Sequence, residues 1–168
     1  MTPRLRSAAT LAGLTALLLV AAVWGFFALT ATPPERSSGP PCVERSFGAG
    51  ETLSSDQVGV RVLNATGRSG VAQQVMETLT SRGFASLGVG NAPEGEEIKG
   101  IQVWGEEDDP TVALVKQQFR RVSVVTPEES IRSGVVVVIG KGKVRTRKPV
   151  TDLELDEART VCLPAGLS

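Results

Sequence analysis

Ala8 to Ala31 is an unbroken run of 24 residues without a charge, and it limits the fold more than any other feature of the chain. At about 1.5 Å per residue, a helix of that length covers roughly 36 Å, enough to span the hydrocarbon core of a bilayer. A cleaved secretory signal is the competing reading, but its apolar stretch usually runs only about 7 to 15 residues and ends in a small-x-small site. Leu29 spoils a cut after Ala31, and a cut after Thr30, with Ala28 upstream, is poor. Cys42 follows Gly39-Pro40-Pro41 rather than the apolar, small-residue segment that precedes a lipidated cysteine. The run therefore predicts an uncleaved transmembrane helix over 8–31. Arg4 and Arg6 precede it and Thr32-Pro33-Pro34-Glu35-Arg36 follow. By the positive-inside rule residues 1–7 are cytoplasmic and the rest of this single-pass chain is extracytoplasmic.

The absences restrict the chemistry. Among 168 residues there is no His and no Tyr, and the only two Cys, Cys42 and Cys162, stand far apart. Ser-His-Asp and Cys-His arrangements and imidazole metal sites are thereby excluded, as are zinc fingers and CxxC redox motifs. No Ser-x-x-Lys nucleophile pair occurs. Outside the membrane disulfides form and persist, so the two cysteines are expected to pair. Lys and Arg number 18 against 18 Asp and Glu, so no global charge calls for a polyelectrolyte partner.

Residues 32–56, rich in Pro, Ser and Gly and without period 2 or 3.6, read as an extracytoplasmic linker. The folded domain is expected over 57–148, with an extension over 149–168 carrying Cys162. Val58, Val60 and Val62 alternate as a first strand. A helix from about Gly70 to Arg82 buries Val71, Val75 and Leu79, is capped by Ser69, and stops at the left-handed Gly83 with Phe84 as the following apolar contact. Strands follow at about Ser86–Gly90 and Gly100–Trp104. A second helix is capped by Asp108 or Asp109, begins at Pro110, and carries Val112, Val115 and Phe119. Val122–Val125 is a short strand, and Gly134–Gly140, with no polar side chain, is a central strand buried on both faces. The expectation is α/β: one transmembrane helix plus a small two-layer domain, a mixed sheet of about five strands with two helices.

Two constellations stand out, each against a plainer alternative. The turn Asn64-Ala65-Thr66-Gly67-Arg68-Ser69-Gly70 lies between a strand and a helix start, where free N–H groups can hold an anion. Asn64, Gly67, Ser69 and Gly70 are equally what a tight capped turn needs. Asn64-Ala65-Thr66 also fits the glycosylation acceptor pattern. Lys141, Lys143, Arg145, Arg147 and Lys148 put five positive charges into eight residues with no acid among them. They form a candidate site for anionic wall polymer or headgroups, or a solvated edge strand guarded by its charges. Gly134 and Gly140 are too far apart for a P-loop, and Lys141 is followed by Gly142 instead of Ser or Thr. Seven acids against Lys99 alone occupy Glu94–Asp109. Of these, Glu106 to Asp109 suit a helix start better than a calcium loop. No cofactor, metal or nucleic-acid partner is expected.

Val60-Arg61-Val62-Leu63-Asn64-Ala65-Thr66-Gly67-Arg68-Ser69-Gly70-Val71-Ala72, followed by Leu79 through Arg82-Gly83-Phe84, strongly resembles the opening of the LytR C-terminal domain family over about 56–142. The resemblance implies an extracytoplasmic α/β domain, often appended to LytR-CpsA-Psr enzymes that ligate polymers to peptidoglycan; their catalytic domain is absent here. The layout of anchor, Pro-Pro and Cys, domain and late Cys resembles actinobacterial envelope-integrity proteins. The expected function is a membrane-anchored, non-enzymatic envelope protein that supports cell-wall integrity by binding wall polymer or a membrane partner. The alternative is an accessory subunit of a polymer ligase.

Overall fold

The computed structural model describes residues 3–30, 42–93, 97–127 and 133–166, with side chains of the first helix described over 13–26. The chain forms two compact units, divided after Arg36.

The first unit is a single helix, α1 (Pro3–Thr30), 28 residues long. Apart from Thr15 its described side chains are apolar, and the large ones are exposed, Leu17 at 70% and Trp24 at 80%. Among the described residues no helix is long and apolar enough to cross a membrane. The span expected at 8–31 reaches past the described side chains at both ends.

The second unit is built on a five-stranded mixed sheet. Its strands are β3 (Gly59–Asn64), β4 (Ala85–Asn91), β5 (Ile101–Trp104), β6 (Val122–Val125) and β7 (Val135–Ile139), in the order β4-β3-β7-β5-β6. Helix α2 (Val71–Thr80) joins the parallel pair β3 and β4, and α3 (Pro110–Lys116) joins the parallel pair β5 and β6. Between these two β-α-β units lies β7, parallel to β3 and antiparallel to β5. Its five residues are all buried, as a central strand without polar side chains requires. Alternation divides the sheet into faces. Val60, Val62, Val103, Val135, Val137 and Ile139 join Val75, Leu79, Val112 and Val115 of the helices in the main core. Val136 and Val138 meet Ile98 on the other face, with Leu63 and Trp104 at the margin.

Helix α2 ends in the expected Schellman pattern, Gly83 N–H donating to Thr80 O at 3.0 Å and Phe84 N–H to Leu79 O at 3.2 Å. Gly83 has φ +96°, and a Cβ there would stand 2.6 Å from Ser55 Oγ, so both conformation and space demand glycine. At the other end the structure departs from expectation. Ser69 does not cap α2; the N-cap is Gly70, left-handed at φ 81° and without a side-chain bond. Helix α3 is capped as expected, Asp109 Oδ1 accepting from Thr111 N–H at 2.7 Å, with Pro110 in the first turn.

The flanks are more structured than expected. Within the expected linker 32–56, β1 (Cys42–Phe47) and β2 (Thr52–Ser54) form, and within 149–168 their partners β8 (Asp152–Glu154) and β9 (Arg159–Pro164). Each pair is an antiparallel two-stranded ribbon, β1 with β9 and β2 with β8. Phe47, Leu53, Leu155, Val161 and Leu163 bury against the main core. Isolated ribbons are marginal in water, so this burial is what secures them. The disulfide Cys42–Cys162 joins the outer ribbon, its Cα atoms 5.4 Å apart across a separation of 120 residues.

Candidate functional site

The direction of β7 decides which loops meet. Strands β3, β4 and β7 end where β5 and β6 begin. The turn after β3, the residues before β6 and the basic segment after β7 therefore gather at one end of the sheet. Glu106 to Asp109, which follow β5, lie at the opposite end.

The turn expected as an anion site is occupied by its own bonds. Asn64 Oδ1 accepts from Thr66 N–H at 3.0 Å and from Thr66 Oγ1 at 2.7 Å, while Asn64 Nδ2 donates to Arg68 O at 2.7 Å. Gly67 and Gly70 supply the positive φ values, 71° and 81°, that close it. Ser69 and Arg68 are exposed. A depression of about 750 Å³ lies here, lined by Asn64, Gly67, Ser69 and Gly70 together with Gln73 and Asn91. The Asn64 amide is engaged on both sides, which suits a structural turn better than a binding or acceptor group.

The basic segment is not an edge strand. Residues 140–150 have no regular strand and are held by isolated bridges, Lys99 with Lys141 and Phe119 with Thr146. Lys141 is partnered, its ammonium paired with Glu97 at 2.5 Å, and that bond with the Lys141 charge holds the Glu97 carboxyl below its ordinary value. The other four cations are joined by two that the sequence pattern did not single out. Arg120 N–H donates to Arg145 O at 2.9 Å and Arg147 N–H to Gln118 O at 2.8 Å, so the turn after α3 runs antiparallel to residues 145–147. Phe119 is buried between them at 2% exposure while Arg120 and Arg121 are exposed.

Arg120, Arg121, Arg145, Arg147 and Lys148 line one open depression of about 480 Å³. A second, of about 370 Å³, shares Arg121 and Arg145 and adds Lys143. A third, of about 310 Å³, shares Arg120 and Arg147 and adds Lys116. The first depression thus adjoins each of the other two through shared arginines, and together they make a basic track. Lys116 is paired with Glu107 at 3.2 Å; among the described residues none of the other six cations makes an ion pair.

A polar knot fixes the wall of the track. Gln118 has no exposed surface, and its Nε2 donates to Leu114 O at 3.0 Å and Val150 O at 2.7 Å. Arg82 donates through Nη1 to Gln118 Oε1 at 3.0 Å and through Nη2 to Arg147 O at 3.2 Å. Burial lowers the Arg82 guanidinium pKa from its ordinary value. The arginine in the turn after α2 thus ties the α3 turn to the basic segment. Among the described residues no group of three or more His, Cys, Asp and Glu could hold a metal ion.

Neither the curated proteins nor the solved structures contain a match to this chain. The family model described as the LytR cell envelope-related transcriptional attenuator matches residues 57–142, just over half of the chain, from the end of the first ribbons through β7. With that coverage, and with its opening falling on β3, the Asn64–Gly70 turn and α2, the chain belongs to the LytR C-terminal domain family.

Proposed function

We propose that the chain is a single-pass membrane protein of the bacterial cell envelope, held by residues 8–31 with its amino terminus cytoplasmic, whose extracytoplasmic domain supports wall integrity by binding rather than by catalysis. Family membership is the observation that carries the reading. The Cys42–Cys162 bridge supports it, since such bonds persist in oxidising compartments. So does α1 over residues 13–26, where the large apolar side chains described are exposed and need an apolar surrounding. The track after α3, lacking a paired acid and base in a closed pocket, suits contact with an extended ligand.

The test is topology in cells. A carboxy-terminal epitope on the full chain is expected to be cut by protease added outside spheroplasts, and the chain is expected to remain in the membrane pellet after carbonate extraction. An epitope protected until the membrane is broken, or a chain recovered in the soluble fraction, overturns the reading.

A further inference from the structure

We infer that the basic track is a binding site for a linear polymer bearing phosphate groups along its length. This deepens the envelope reading and takes its physiological setting from it. Three observations point to such a ligand.

The first is uncompensated charge. Arg120, Arg121, Lys143, Arg145, Arg147 and Lys148 converge from two segments without an ion pair among the described residues. Like charges gathered this way raise the local potential and attract a polyanion. The convergence is built by backbone bonds at Arg120 and Arg147 and by the buried Gln118, so it is a property of the fold and not of side-chain chance.

The second is chemistry. Four of the six are arginines, whose planar fork meets phosphate oxygens in pairs, which a lysine ammonium cannot do. The third is shape. Successive depressions share arginines two at a time, which makes a track rather than a pocket for one anion. A lipid surface is disfavoured by the same geometry. Among the described residues the exposed large apolar side chains of the folded unit are Val43 and Val89, and neither lines the track, so nothing there would enter a bilayer.

The test uses the purified full chain in neutral detergent micelles, titrated with long-chain inorganic polyphosphate, inorganic phosphate, polygalacturonate, and phosphatidylglycerol vesicles at matched charge. Polyphosphate is expected to bind most tightly and to weaken steeply with salt, because exposed charges are screened beyond about 8 Å at physiological ionic strength. The triple variant Arg120→Gln, Arg145→Gln, Arg147→Gln is expected to lose about tenfold or more in affinity, as lost charge-assisted contacts require. The control Arg45→Gln, Arg61→Gln, Arg159→Gln carries the same change in charge at residues that do not line the track and should lose far less.

If the triple variant melts abnormally, Arg121→Gln with Lys148→Gln replaces it, since neither residue supplies a backbone bond between the two segments. Undiminished binding by a folded track variant, equal loss in the control, inorganic phosphate binding as tightly as the chain, or preference for vesicles or polygalacturonate would each overturn the inference. Because binding is read on purified protein, its failure leaves the topology result standing, and a failed topology leaves binding intact.

Discussion

Gln118 shows how much one polar side chain can organise. It is wholly buried, donates to two carbonyls on different segments, and accepts from Arg82. A buried amide with all partners present is nearly neutral, but removing it strands them, at about 1–3 kcal/mol per orphaned group. Gln118→Leu is therefore expected to lower the urea midpoint of the full chain by the equivalent of roughly 2–4 kcal/mol. It should also speed amide exchange at Arg147, whose N–H bonds to Gln118 O. An unchanged midpoint would mean that the wall is held by Phe119 and the backbone alone. Nothing in the sequence marked this residue, because a glutamine on the tail of an amphipathic helix reads as solvent-facing until its neighbours are known.

At the scale of elements, β7 takes both the packing and the topology. Val137 contributes to the main core with no exposed surface and pairs with Val62 on one side and Val103 on the other. Val137→Asp would bury a charge without a partner. That cost of several kcal/mol compares with a typical total of about 5–15. The variant is expected to be unfolded or degraded, as far-UV dichroism and expression level will report, and a folded variant with unchanged melting would contradict the central position. This strand, the four other strands of its sheet and both helices of the domain were legible in the sequence because their patterns are strong: an unbroken valine run, period-2 alternation in β3 and β5, and four-residue spacing in α2. The ribbons were not. Thr52-Leu53-Ser54 and Asp152-Leu153-Glu154 hold one apolar residue each, and what makes them strands is a partner 100 positions away in the chain. The candidate site was half legible for the same reason. The charge run after β7 is visible in sequence, but Arg120 and Arg121 join it only because β6 starts at the end where β7 stops.

For the molecule as a whole, the bridge between Cys42 and Cys162 joins the two ends of the folded unit. Closing a loop of 120 residues is worth on the order of 4–5 kcal/mol in the chain-entropy model. Reduction, or Cys42→Ser, is expected to lower the denaturation midpoint of the full chain correspondingly, and non-reducing peptide mapping should recover the linked pair. A midpoint unmoved by reduction would show that the β1–β9 ribbon holds the ends by itself.

The same bridge has a mechanical meaning. A chain tethered through its amino-terminal helix and gripping a polymer at Arg145–Lys148 would feel tension between residue 42 and those arginines. With the ends unlinked, that load would run along the peptide through β1, β3, α2, β5 and β7, peeling the core strand by strand. With Cys42 bonded to Cys162, force passes across the sulfur atoms and back along the short stretch to Lys148, about 14 residues or roughly 50 Å at full extension. Only the carboxy-terminal ribbons can then give way, and the sheet that assembles the basic track stays outside the path of the pull.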